Sequence, residues 1–180
     1  MTKARTSILF RQLYSRIFTC STIERIHDKV GALEAAGVRE PAFLHYLEHE
    51  LKPRLVHMDV HVIAATFMCE IIRNHPFWDG NKRAGFGTAT LLLLLGLRLF
   101  EAEDEEVERF CKELARRFEE VTSKGSPPPT TEEVGSWLRS HSGRLPLMDM
   151  LYLALMAMLD WALWKSGQAE GAGPLFLEGT

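Results

Sequence analysis

Residues 56–96 read VHMDVHVIAATFMCEIIRNHPFWDGNKRAGFGTATLLLLLG, and two helical patterns separated by a short loop can be read directly from them. Val56, Val60, Ile63, Ala64, Phe67, Met68, Ile71 and Ile72 recur at threes and fours. That spacing places them in one stripe along an α-helix, which predicts a face turned to a core. The helix must stop before Pro76, because proline disfavours a helical backbone at the residue preceding it. From Asn81 to Leu95 the chain is apolar nearly all round, with consecutive leucines from Leu91 to Leu95, and Gly96 ends it. A helix apolar on every side is expected in the middle of a bundle.

The flanking sequence continues in the same way. Ser21 followed by Glu24 forms a capping box, and the run Thr22 to Ala36 ends at Gly37, suited to a left-handed cap. Pro41 fits a first helical position, and Phe43, Leu44, Leu47 and Leu51 predict a short helix closing before Pro53. Asp104 can cap a further helix with acidic residues in its first turn and Arg116 and Arg117 in its last. Thr122 to Pro129 reads as a loop, and Thr130 with Glu133 is a second capping box, for a short helix through Trp137. A last helix is expected from Leu145 to Lys165. Phe10, Leu13, Ile17 and Phe18 are expected in the core. No stretch alternates at period two over strand length, so the fold class is all-α: a helical bundle with an extra C-terminal helix.

At 180 residues, 46% of them hydrophobic and 25% charged, the chain can bury a core, which excludes disordered, collagen-like and coiled-coil classes. One domain over 1–144 is expected, followed by an additional helix and tail over 145–180. A net charge of −3 with no long charged run argues against a nucleic-acid footprint. Cys20, Cys69 and Cys111 are odd in number and far apart, so they make neither a disulfide framework nor a metal knuckle, and a reducing cytoplasm is expected. Met1 to Phe10 holds no apolar stretch of signal-peptide length, so the chain reads as unprocessed. Leu145 to Trp164 approaches bilayer length, but Asp149 and Asp160 fall on one face, as on an amphipathic helix; membrane insertion is not expected. Met148, Met150, Met156 and Met158 there suit core packing or an adaptable oligomer interface.

The loop between the two central helices carries the chemistry: His75, Pro76, Phe77, Trp78, Asp79, Gly80, Asn81, Lys82 and Arg83. A loop entering a helix N-terminus presents unpaired N–H groups and the positive end of the dipole, which favours an anion. Gly80 permits close backbone approach to a phosphate, while Asn81, Lys82 and Arg83 add an amide, a point charge and a planar fork. Asp79 is a hard oxygen ligand that, with phosphate and water oxygens, can hold Mg²⁺. His75 can accept a proton from an attacking hydroxyl near neutral pH. A plain helix cap would require neither His75 nor Asp79.

This stretch resembles the Fic/Doc signature HxFx(D/E)GNxRxxR, and the wording HPFxDGNKR is that of the death-on-curing (Doc) branch. The resemblance extends through Gly37-Val38-Arg39-Glu40-Pro41, the helix before the loop and Glu132 to Leu138, over about residues 20–140. It implies a helical bundle in which His75 is the general base, Asp79 binds Mg²⁺, and Gly80, Asn81, Lys82 and Arg83 hold the phosphates of ATP. It also implies that Phe77 pins the loop into the core. Lys82 stands where the common Fic pattern has glycine, and Phe86 where it has a second arginine. In Fic adenylyltransferases that arginine grips the γ-phosphate. The Doc branch shares both departures and is understood to transfer the γ-phosphoryl group to a protein hydroxyl. The resemblance thus implies a protein kinase, with AMP transfer or an inactive binding module as the alternatives. It further implies a toxin–antitoxin pair, with a small antitoxin as partner and elongation factor Tu as the acceptor associated with that branch.

Two other patterns are set beside this one. His45 with His49, and His57 with His61, have the i, i+4 spacing of zinc ligands, but no Glu follows the first histidine as in a metalloprotease motif, and surface or core histidines are the default expectation. Ser166 to Gly171 resembles the (S/T)xxxE(G/N) inhibitory motif of some Fic proteins, but the arginine its glutamate would engage is here Phe86, and a flexible tail is the simpler expectation.

Overall fold

A computed structural model describes residues 8–30 and 37–146. The chain divides into two units, Met1–Gly143 and Arg144–Thr180, and the catalytic candidates all lie in the first. Its helices are α1 (Ile8–Ile17), α2 (Cys20–Val30), α3 (Pro41–Tyr46), α4 (Lys52–Leu55), α5 (Val60–Asn74), α6 (Asn81–Leu95), α7 (Asp104–Lys124) and α8 (Thr131–Ser140), with a π-helical turn at Leu47–Leu51 joining α3 to α4. Two three-residue strands, β1 (Arg98–Phe100) and β2 (Ser142–Arg144), form the one small sheet among the described residues. The fold is mostly helical, as expected, and the strands are the departure from it. They are too short for alternation to register; each is held by pairing with a partner distant in sequence.

The centre is α5. Ten of its residues are buried, from Val60 to Ile72, and it packs against both α6 and α8. In α6, Ala84, Gly85, Thr88, Ala89, Leu92 and Leu93 are buried while Leu94 is exposed, so α6 is less enclosed than its composition suggests. Gly85 sets the approach of these two helices: a Cβ there would lie 2.9 Å from Ile72 Cγ1 and 3.2 Å from the Met68 carbonyl oxygen. On the other side, Phe10, Tyr14 and Phe18 stack along α1, with Phe67 of α5 edge-on to Phe18 at 4.6 Å. Ile17, expected in the core, is exposed, and Tyr14 takes the buried position. Its hydroxyl hydrogen-bonds the Lys52 carbonyl oxygen at 3.4 Å, which lets a polar ring be buried.

Several helix ends differ from the sequence reading. α2 begins two residues earlier than Thr22, because Thr19 Oγ1 accepts from Thr22 N–H at 3.3 Å and Glu48, 28 positions on, accepts from Cys20 N–H at 2.6 Å. The Ser21 box is thereby displaced by a tertiary cap. The helical path does not close before Pro53 but runs through it to Leu55. Proline lacks the N–H that an α-turn needs; here Lys52 N–H bonds back to the Leu47 carbonyl in a π-turn, and Pro53 falls in the first turn of α4. α5 starts at Val60 and not at Val56, since Asp59 caps it by accepting from His61 N–H at 3.0 Å. α7 runs on to Lys124, which puts Arg116 and Arg117 in mid-helix, where Arg116 pairs with Glu113 and Glu120. The Thr130–Glu133 capping box is present in both directions, and α8 continues past Trp137 to Ser140.

Among the described residues no helix is long and apolar enough to cross a membrane, and no three His, Cys, Asp or Glu side chains gather as a metal site. His61 is buried with Nδ1 2.9 Å from Asp59 Oδ1 and Nε2 3.1 Å from Ser142 Oγ, so it ties α5 to β2. Burial pushes the thiols of Cys69 and Cys111 up to about 12. The Leu145–Lys165 helix, apart from its first two residues, and the Ser166–Gly171 motif lie outside the described residues.

Candidate active site at the α5–α6 loop

The loop is fixed at both ends by backbone geometry. α5 ends at Asn74, and His75 takes a left-handed conformation, φ 49° and ψ 58°, with its N–H on the Ile71 carbonyl at 3.2 Å. A non-glycine residue held there costs energy that the surrounding contacts must offset, a pattern common at functional sites. Gly80 opens α6, also left-handed at φ 73°, where glycine carries no such cost.

Between these ends several loop peptide groups have partners. Pro76 O accepts from Arg39 N–H at 2.7 Å and Glu40 N–H at 3.0 Å, and Trp78 N–H donates to Gly37 O at 3.4 Å. Val38 and Phe77 form an antiparallel bridge. The 37–40 segment is therefore the rail on which the loop lies. Phe77 is buried and stacked on the His27 ring, with centroids 4.0 Å apart and planes 7° from parallel. Its N–H donates to Asn81 Oδ1 at 3.0 Å, and its carbonyl accepts from Asn81 Nδ2 at 2.8 Å.

Asn81 is thus buried, and its side-chain amide is committed to the loop itself; the group it can offer a phosphate is its backbone N–H in the first turn of α6. The same Nδ2 lies 3.4 Å from His75 Nδ1, a long contact that orients the ring without fully engaging it. His75, Asp79, Lys82 and Arg83 are all exposed. Arg83 approaches Asp79 only to 3.8 Å, one turn apart. Lys82 is close enough to α7 for its charge to act on Cys111.

Together these residues line up a solvent-facing imidazole, a carboxylate and a helix N-terminus that no side chain caps. That combination can receive an anion at the amides, hold a hard cation at Asp79, and accept a proton at His75. Asp79 fits Mg²⁺ in that its carboxylate is exposed, with Arg83 no nearer than 3.8 Å, which leaves room for phosphate and water oxygens around such an ion. Phe86, one turn further along α6, is half-buried against the core and meets Phe100 edge-on at 5.1 Å.

Two contributors escape sequence inspection. His27 donates to the Asp79 carbonyl oxygen at 3.0 Å from α2, 52 residues away. Its one signal is its place four residues after Ile23, on the buried face of α2. Arg39 stands over the exposed Trp78 ring, 5.6 Å from the centroid, beside the loop.

A model of the Fic/DOC family matches residues 5–93, which takes in α1 to the greater part of α6 and every candidate residue from His75 to Arg83. Over that stretch the chain is similar to the Fic/DOC family, the match does not separate the family's branches, and it ends before the 94–140 stretch. No curated protein and no solved structure matches the chain.

Proposed function

From the Fic/DOC match over residues 5–93 as premise, we propose that this chain is an ATP-dependent transferase of the Doc kind, moving the γ-phosphoryl group of ATP to a hydroxyl of a target protein. The observation that carries the choice of group is Phe86. Its ring is packed on Phe100 at the position where the Fic signature that the loop resembles has its second arginine, so the contact said to grip the γ-phosphate in Fic adenylyltransferases is missing. Phosphate contacts then fall to the α6 amides, Lys82 and Arg83 near the loop, which favours the γ-phosphoryl group beside His75.

In this reading the α6 N-terminus and the Gly80 turn bind the transferred group, and His75 takes the proton of the attacking hydroxyl. The new bond is from the target oxygen to the γ-phosphorus; the bond from that phosphorus to the bridging oxygen breaks, and ADP leaves. Asp79 would hold Mg²⁺, which neutralises phosphate charge. Positioning and charge stabilisation supply most of the rate in such transfers. Elongation factor Tu as acceptor and a small antitoxin as partner go with the proposal.

The test is incubation of the chain with a lysate and ATP labelled separately on the α- and γ-phosphates. Label from γ alone, on Ser, Thr or Tyr, is expected, with about 10² to 10⁴ of the rate lost in His75→Ala. Phe86→Arg should introduce α label. Label from α in the native chain, unchanged by Phe86→Arg, would replace phosphoryl transfer by AMP transfer.

A further inference from the structure

We propose that His27 is a positioning residue for the metal-binding end of the loop: by holding the Asp79 backbone it sets how tightly the site takes Mg²⁺ together with a nucleotide. The proposal rests on the reading of Asp79 given above. His27 sits on α2 and is only 1% exposed. A carbonyl oxygen can only accept, so Nε2 carries the hydrogen in its 3.0 Å bond to Asp79 O. The other ring nitrogen, Nδ1, lies 3.2 Å from Asp28 Oδ1, and the ring face is stacked on Phe77.

Burying a polar ring is costly unless its bonds are made, and packing on Phe77 alone would be met by an apolar side chain. The polar choice here reaches the one residue of the loop whose side chain is the candidate cation ligand. That carboxylate is exposed, with Arg83 no nearer than 3.8 Å, so its location is set by its own backbone. Asn81 anchors the loop on one side of Asp79, at Phe77, and His27 anchors Asp79 itself, immediately before the left-handed Gly80. A partner that orients a ligating residue in this way is typically worth 10- to 100-fold in metal affinity.

Two substitutions separate the ring from the donor. His27→Phe keeps a flat ring for Phe77 and loses the bond to Asp79; His27→Gln keeps an N–H donor near the place of Nε2 and loses the stack. In calorimetric titration of the full chain, His27→Phe should bind Mg²⁺–ATP about tenfold more weakly while ATP binding in EDTA stays unchanged. His27→Gln should stay within about twofold of the native chain for both, a rescue that a purely packing role would not give. Native Mg²⁺–ATP affinity in His27→Phe, an equal loss with and without Mg²⁺, or a tenfold loss in His27→Gln would each overturn the proposal. Should His27→Phe fail to fold, His27→Leu, which also lacks the donor, takes its place beside His27→Gln, with the same outcomes. If the native chain itself binds no Mg²⁺–ATP, the nucleotide reading fails, and amide exchange then decides the positioning. The amides of Phe77 and Trp78, which donate to Asn81 and Gly37, should exchange at least about tenfold faster in His27→Phe than in His27→Gln, with α5 protection unchanged, for a bond that fixes the loop. Equal rates overturn it.

Discussion

Replacing Asn81 by Ala removes two hydrogen bonds at once, to the N–H and the C=O of Phe77, and both of those backbone groups are buried. Water cannot reach them to compensate. An unsatisfied buried donor or acceptor costs about 1–3 kcal/mol, so the pair predicts a loss of roughly 2–6 kcal/mol. That is a large part of the ~5–15 kcal/mol typical of whole-domain stability. With a urea slope of about 2 kcal/mol per molar for a chain of this size, the midpoint should fall by roughly 1–3 M in unfolding followed by far-UV circular dichroism. Asn81→Asp is a sharper control. It preserves shape and the acceptor for Phe77 N–H, but turns an oxygen toward the Phe77 carbonyl in place of the donor. It should therefore destabilise at least as much as the alanine. A midpoint shift below about 0.3 M in both variants, with an unchanged slope, would refute the argument that Asn81 supports the loop through Phe77.

Thr88 on α6 has a buried hydroxyl with no hydrogen-bond partner among the described residues, so Thr88→Val, equal in shape, should stabilise by about 1 kcal/mol and raise Tm by about 2–4 °C; a lowered Tm in scanning calorimetry would show that the hydroxyl is satisfied. Burial lowers the pKa of His61 below its ordinary value, against the opposing pull of Asp59. The unfolded chain therefore binds the proton more readily than the folded one. The contribution of His61 is complete above about pH 6.5 and is lost as pH falls through the depressed folded value. Urea midpoints measured from pH 7.5 to 5.5 should decline less in His61→Gln than in the native chain, and parallel declines would refute the assignment.

Local signals that no tertiary contact contests were legible from the sequence. α6 begins at Asn81 and ends at Gly96 because a left-handed glycine and a terminal glycine are sufficient to bound it. The Thr130–Glu133 box is reciprocal within four residues and needs nothing from elsewhere. The chemistry proposed for the loop, from His75 to Arg83, rests on composition, because anion, cation and proton sites each demand particular residue types.

What the tertiary structure decided is wherever a distant group supplied the missing partner. Glu48 moved the start of α2, Lys52 with a π-turn carried a helix through Pro53, and Asp59 cut α5 off from Val56. Val56 and Val60 are spaced correctly for one helix, and periodicity is blind to a cap between them. Tyr14 displaced Ile17 from the core because the Lys52 carbonyl accepts its hydroxyl, a contact 38 residues long. The loop shows the same division. Its residue types are written in nine consecutive positions, but the bonds that fix Asp79 and Pro76 come from His27, Arg39 and Glu40, and a hydrogen bond across such separations leaves no periodic trace in the chain that makes it.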